Sequence, residues 1–282
     1  MYYNYVVGKK MKKNIKLVSA DIDGTLLAKG DLNNLRESTK KAILDLRANG
    51  VLFGLASGRP YEDVNDIYAS WGLEDQFDFL ICWNGAELWD EKTKTKYEYN
   101  FLSKEDIKDI VEYMEPSNSV VNMYQPGLFY SSKVTEKAVL SAFKTNRTFK
   151  LIEDIEDYYR VDNGGIMFRS DDETVIEWEP KIAKFQKGRN FVGFKTQPNL
   201  LEFSHKDANK GYALREYCKL YNIDLDDCYA FGDTTNDNEM LKICHGVCLL
   251  NGSDDTKACA EFITDKIIEE DGFADYVYKN LL

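Results

Sequence analysis

The chain has 282 residues, 44% hydrophobic, 13% aromatic and 30% charged, a composition that can bury a sizeable core and excludes wholesale disorder. At about 150 residues per domain the length accommodates two domains, side by side or one inserted in the other. Lys and Arg number 36 against 48 Asp and Glu, a formal net charge of −12, the wrong sign for holding nucleic acid by its phosphates.

The amino terminus, MYYNYVVGKKMKKN, carries basic residues, but its apolar runs are too short for a signal-peptide core or a membrane span. The expectation is a soluble cytoplasmic protein with no membrane or nucleic-acid partner, with Met11 as an alternative start and residues 1–10 as a dispensable extension. Residues 15–20 (IKLVSA) predict a short strand, and 38–49 a helix opened by a Ser/Thr pair and closed by Gly50. Residues 51–56 (VLFGLA) predict the next strand, Pro60 opens a helix running to 71, and 77–82 (FDFLIC) complete a β-α-β-α-β unit.

The middle of the chain reads differently. Strand-like stretches such as 95–99 and 165–168 mix with helical stretches at 104–114 and 134–143, which suggests an α+β layer. After Ala208 the first texture returns: a helix over 210–221, a strand over 228–231, a helix over 236–243, a strand over 247–250 and a last helix ending near 281. The predicted fold class is α/β, a Rossmann-like parallel-sheet core from residues 1–86 and 198–282, with an inserted α+β domain over 87–197. The six cysteines lack CxxC spacing and sit among apolar neighbours, so buried free thiols are expected rather than disulfides. Cys244, His245 and Cys248 lack the fourth ligand of a structural zinc site.

Four segments fall at or just after carboxyl ends of predicted core strands, where ligands bind in open parallel sheets. Asp21 and Asp23, in Asp-Ile-Asp-Gly-Thr, are like charges that repel unless a cation neutralises them; the alternative is a loop-capping Asx pair. Ser57, Gly58 and Arg59 offer a hydroxyl and backbone N–H groups to a phosphate oxygen, or simply an N-cap. Lys210 stands in the first turn of a helix, where a lysine is favoured only beside an anion; a solvated surface lysine is the alternative. Asp233, Asn236 and Asp237 follow the strand over 228–231; Asp233 could complete an oxygen-ligated cation site with Asp21, and Asn236 and Asp237 could be helix caps.

Together, DxDGT, SGR, the helix-start lysine and GDxxND stand in an order that resembles the haloacid dehalogenase (HAD) superfamily, in its Cof-type sugar-phosphatase-like branch with a large α/β cap. The resemblance runs from Ile15 onward and includes Asn84-Gly85-Ala86 and Glu270-Asp271-Gly272-Phe273-Ala274, with Phe273 where a small aliphatic residue is more usual. It implies a phosphatase that hydrolyses small phosphorylated metabolites, such as sugar phosphates or phosphorylated cofactors, through an aspartyl-phosphate. By the same resemblance Asp21 is the nucleophile and Asp23 the general acid and base; Thr25, Ser57, Gly58, Lys210 and Asn236 bind phosphate or substrate. Mg²⁺ is the implied cofactor, with Asp21, Asp23 through its backbone carbonyl, Asp233 and Asp237 as the metal set. The insert becomes a cap that selects the leaving group, with Trp178, Tyr124, Tyr130 and Arg169 as candidates or as core packing. Phosphomutase chemistry and noncatalytic metabolite binding are the competing readings, and a monomer or a homodimer is compatible with all of them.

Overall fold

The computed structural model describes residues 14–28, 31, 34–73 and 75–282; the proposed extension, residues 1–10 with Met11, lies outside them. β1 (Leu17–Ala20) is buried at all positions, as a central parallel strand covered on both faces must be. α1 (Glu37–Ala48) buries Thr39, Ala42, Ile43 and Leu46, the spacing of one helical face. β2 (Leu52–Ala56), α2 (Tyr61–Ser70) and β3 (Phe79–Cys82) follow, with β2 parallel to both β1 and β3. β4 (Glu87–Asp90) and β5 (Thr95–Glu98) then run antiparallel along the free edge of β3.

A second sheet is built from the middle of the chain. Its elements are α3 (Lys104–Met114), β6 (Val120–Gln125), β7 (Leu128–Ser131), α4 (Glu136–Lys144), β8 (Thr148–Leu151), β9 (Ile166–Arg169), α5 (Asp172–Phe185), β10 (Phe191–Gln197) and β11 (Leu200–His205). The strand order among the described residues is β10-β11-β9-β6-β7-β8, antiparallel except for β7 with β8. Side chains alternate between its faces. Met123, Phe168, Leu201 and Phe203 point to one face and pack with Ile107, Ile110, Val175 and Ile182 of α3 and α5. Tyr124, Met167, Arg169 and Glu202 point to the other, which looks onto a cleft.

The chain returns to the first sheet with α6 (Lys210–Leu220), β12 (Cys228–Gly232), α7 (Asn238–Lys242), β13 (His245–Cys248), α8 (Asp254–Cys259), β14 (Phe262–Ile263) and α9 (Gly272–Asn280). Among the described residues this sheet has the order β14-β13-β12-β1-β2-β3-β4-β5, with β12 parallel to β1 and Ala20 opposite Phe231. From β1 the order runs to β2 and β3 on one side and to β12, β13 and β14 on the other. The carboxyl ends of β1 and β12 therefore flank the point where strand order reverses, the position at which such sheets bind ligands.

Sheet membership differs from the boundaries expected at 87 and 198. The hairpin β4–β5 belongs to the larger sheet and β11 to the smaller one. Alternation identifies a paired strand but does not say which free edge it joins, so a hairpin at a junction is assigned by tertiary contacts alone. β14 went unpredicted because a two-residue strand has no readable period. Trp178 and Tyr130 are packing residues of the smaller sheet's core, whereas Tyr124 and Arg169 face the cleft. The six cysteines are free thiols. His245 is paired with Glu261 at 2.7 Å, and among the described residues Cys244, His245 and Cys248 form no metal-ligand group. No helix among the described residues is long and apolar enough to cross a membrane.

Phe273 is fully buried with edge-on contacts to Phe53 at 6.1 Å and Phe231 at 4.8 Å. Phe273→Ala should lower stability by about 3–5 kcal/mol, the cost of a large cavity in a packed core. Urea unfolding checks this, and an unchanged midpoint would contradict the residue's place in the core.

Candidate active site

β1 ends in Asp21, whose backbone N–H donates to the Phe231 carbonyl at 3.0 Å, so β12 pins the carboxylate's backbone. α6 starts at Lys210, capped by the Asn209 side chain, which accepts from the Tyr212 N–H. The Lys210 ammonium is fully buried and donates to Asp21 Oδ1 and Asp237 Oδ1, both at 2.6 Å. This decides the sequence alternatives for Lys210: it faces anions and is not a solvated surface residue.

Asp237 serves as the expected cap and also meets Lys210. Its Oδ2 accepts from the N–H groups of Asp233 at 2.9 Å and Thr234 at 3.2 Å, which caps the turn after β12, while its Oδ1 holds Lys210. Asp233 is 1% exposed, and its Oδ1 accepts from the hydroxyl of the buried Thr25 at 3.3 Å. One carboxylate oxygen from each of Asp21, Asp233 and Asp237 lies within 4.8 Å of the others. The chain leaves β1 through Gly24 at φ +98°, and a Cβ there would fall on the Asp233 carboxylate. Glycine at this step is therefore a condition for bringing the two strand-end carboxylates together.

Asp23 stands apart from that cluster, on the cleft side. Arg59 grips it in a fork, Nε to Oδ2 and Nη2 to Oδ1, both at 2.9 Å. Such bidentate pairs fix orientation as well as charge. Ser57, 2% exposed, lies at the end of β2, and its Oγ accepts from the Arg59 N–H at 3.2 Å. Gly58 lies against the Asn84 side chain, whose Oδ1 accepts from Asn236 Nδ2 at 3.0 Å. Gly85 has φ +97°, and a Cβ there would overlap the Asn209 carbonyl, so the turn after β3 seats directly on the start of α6.

Asp21, Asp23, Ser57, Gly58, Arg59, Asn84 and Asn236 share one cleft of about 1340 Å³ with Tyr124, Arg169 and Glu202 of the smaller sheet. Thr25, Lys210, Asp233 and Asp237 are buried around its floor. The sequence singled out the floor's carboxylates, Asp23 and the lysine but gave Arg59 no role of its own, because its fork with Asp23 joins two separate loops. Glu202 was missed, because one acidic residue in an alternating strand reads as a solvent-facing position.

Electrostatics define what the floor can hold. Three buried carboxylates meet one ammonium, leaving two negative charges uncompensated if all are ionised. Burial pushes the Asp21 carboxyl up to about 8; Lys210 opposes the rise, and Asp237 and Asp233 add to it. For Lys210 burial favours the neutral amine, but the attraction of Asp21 and Asp237 outweighs it and holds the ammonium above its ordinary range. An all-oxygen, doubly negative donor set matches a hard divalent cation such as Mg²⁺. Asp21, Asp233 and Asp237, each with an oxygen within 4.8 Å of the others, are the side chains that could ligate it, while Asp237 also accepts from Lys210 and the backbone.

Comparison with known proteins identifies the family. Residues 18–277 match the family model for haloacid dehalogenase-like hydrolases, and the chain belongs to that family. It is 27% identical over 258 residues to the 5-amino-6-(5-phospho-D-ribitylamino)uracil phosphatase YcsE of Bacillus subtilis, covering 91% of this chain and 92% of that one. It is also 23% identical over 280 residues to the phosphatase YwpJ of the same organism, covering 89% and 94%. Among solved structures, a haloacid dehalogenase-like hydrolase from Bacteroides thetaiotaomicron superposes with a TM-score of 0.83 at 20% identity, over 94% of this chain and 99% of the other. The α/β core with a large inserted layer is thus the family's fold.

The raised Asp21 carboxyl has a measurable sign. Without a cation the folded chain holds this proton more tightly than the unfolded chain, so stability falls as pH rises from the ordinary 3.8 toward about 8. Melting temperature followed across that range in chelator should decline more steeply for the wild type than for Asp21→Asn, and parallel profiles would contradict the assignment. Lys210→Met should cost about 3–5 kcal/mol in the same buffer, because it strands buried carboxylates; an unchanged melting temperature would count against the charge cluster.

Proposed function

We propose that this protein is a Mg²⁺-dependent phosphatase that hydrolyses small phosphorylated metabolites by passing the phosphoryl group through Asp21. The observation that carries the reading is the Asp21 carboxylate at a strand end, tied through one oxygen to a buried lysine and lining a cleft, with a second carboxylate two residues along. Covalent capture of this kind splits one difficult displacement into two easier ones.

Lys210 engages Oδ1 of Asp21, and Oδ2 is the oxygen assigned to attack phosphorus. As the Asp21 O–P bond forms, the bond from phosphorus to the leaving oxygen breaks, and Asp23 supplies that oxygen with a proton. Asp23 then removes a proton from the water that attacks the acyl phosphate, which releases inorganic phosphate and restores Asp21. Arg59 holds Asp23 in place for both transfers. Ser57 and the backbone N–H groups of its turn, with Asn236, bind the phosphoryl oxygens from one side, and Lys210 fixes positive charge on the other. Asp21, Asp233 and Asp237, with the Asp23 backbone carbonyl, would hold Mg²⁺, and Asp237 would also position Lys210 and the Asp233 turn. When bound, the ion polarises the phosphoryl group and screens it from the carboxylates.

Metabolite-sized substrates are supported by the cleft, by the net charge of −12 that argues against nucleic acid, and by the small phosphorylated compound in the name of a relative. Residues 104–205 would act as the cap, offering Tyr124, Arg169 and Glu202 to the leaving group. Phosphate release from a panel of phosphorylated metabolites, with Mg²⁺ or chelator, tests the reading. Metal-dependent release should fall by at least about 10³-fold in Asp21→Asn, and release retained in that variant would sink the nucleophile assignment.

A further inference from the structure

Arg147 is a cationic side chain buried where the two sheets meet, with 1% of its side chain exposed. It comes from the smaller sheet's unit, between α4 and β8. Its partners are acids in the first turn of α2 in the larger unit: Nη1 is paired with Asp63, and Nη2 lies 3.2 Å from Glu62. The guanidinium also lies 4.8 Å from the ring centre of Tyr124, a residue lining the cleft.

The contact is built on rigid supports. α4 stops with Asn146 in the left-handed region, φ 50°. The Asn146 N–H donates to the Phe143 carbonyl and the Arg147 N–H to the Ala142 carbonyl at 2.9 Å, the paired bonds that lock a helix end. On the other side, Glu62 and Asp63 stand where a helix N-terminus favours acids. Asp63 is four residues beyond Arg59, so the helix that receives Arg147 begins at the turn carrying Ser57 and the arginine that grips Asp23.

Position gives this contact leverage. The chain connects the two units near β11, where Asn100 Nδ2 donates to the Asp207 carbonyl at 3.2 Å and Leu102 pairs with Asn163. β8 lies at the sheet edge, four strands from β11, roughly 19 Å away at ordinary strand spacing. A contact that far from the connection controls the angle between the units. It is also reversible in design: among the described residues the buried Arg147 Nε has no hydrogen-bond partner, so the charge is not fully repaid for its lost water.

We propose that Arg147 is a positioning residue for the phosphatase reaction, a clasp whose pairing with Asp63 and Glu62 sets the fraction of molecules with the cap closed over Asp21. This rests on the phosphatase reading for its kinetic consequence but not for its structural one. Only closed molecules present Tyr124, Arg169 and Glu202 to the leaving group, so weakening the clasp reduces apparent affinity by the lost closed fraction. Substrate at saturation draws the cap shut again.

The test compares wild type, Arg147→Met, Arg147→Lys and the reversed pair Asp63→Arg with Arg147→Asp, using small-angle scattering, amide exchange across α2 and β8, and hydrolysis of p-nitrophenyl phosphate with Mg²⁺. Arg147→Met should enlarge the radius of gyration, speed exchange at both segments and raise KM about tenfold with kcat within about twofold. Arg147→Lys should recover part of each effect. Unchanged scattering and exchange in Arg147→Met would overturn the clasp, as would a fall in kcat with KM unmoved. If no variant or wild type releases phosphate, the phosphatase reading fails alone, because scattering and exchange still decide the clasp. A reversed pair that restores the wild-type radius supports direct pairing, and one as open as Arg147→Met contradicts it.

Discussion

The structure depends on placing three carboxylates and one ammonium in a space from which water is largely excluded. Asp21 and Asp233 arrive there because β1 and β12, drawn from opposite ends of the chain, are parallel neighbours. Lys210 arrives because α6 begins against the turn that ends β3, where Gly85 leaves no Cβ between the two backbones. Repulsion among the acids would open such an arrangement in isolation. Lys210 compensates part of it, the backbone N–H groups bound to Asp237 stabilise another part, and the remaining negative charge is what fits the floor to a divalent cation and to a phosphate brought in with it.

Charge is divided between the two layers in a way that suits this floor. The larger sheet presents acids at its strand ends, with Arg59 and Lys210 committed to particular carboxylates. The smaller sheet's unit presents Tyr124 and, among its charged residues, Lys144, Arg169 and Lys195 against Glu202, so its lining is mainly cationic. One layer can thus read the phosphoryl group while the other reads what it is attached to. Arg147 links the divisions, since its acidic partners begin the helix that follows the Ser57 turn.

Much of this was legible in the sequence because the chemistry is carried by short segments at strand ends. Mostly apolar four- to six-residue runs leading into Asp21, Ser57 and, one glycine later, Asp233 pointed to the parallel sheet and to the edge that binds. The order of the segments then separated a chemical set from a scatter of caps. Residues with two possible roles were resolved only by tertiary packing: Asp237 is both a cap and a lysine partner, and Lys210 is buried although its neighbours in sequence are polar. Three features had no local signal. Sheet membership of β4, β5 and β11 depends on which edge is free, the Asp23–Arg59 fork spans two loops, and Arg147 pairs across 84 residues of chain. Trp178 and Tyr130 show the converse, aromatic residues in alternating or helical patterns that prove to be core.

The central claim is that Asp21 itself becomes phosphorylated. The most direct measurement uses Asp23→Asn, in which the second step lacks its base and the acyl phosphate should persist. Rapid quenching during turnover of a reactive phosphate ester, followed by borohydride reduction and peptide mass spectrometry, should find homoserine in place of aspartate at position 21. A peptide carrying unmodified Asp21 under conditions where phosphate ester is consumed would contradict the account.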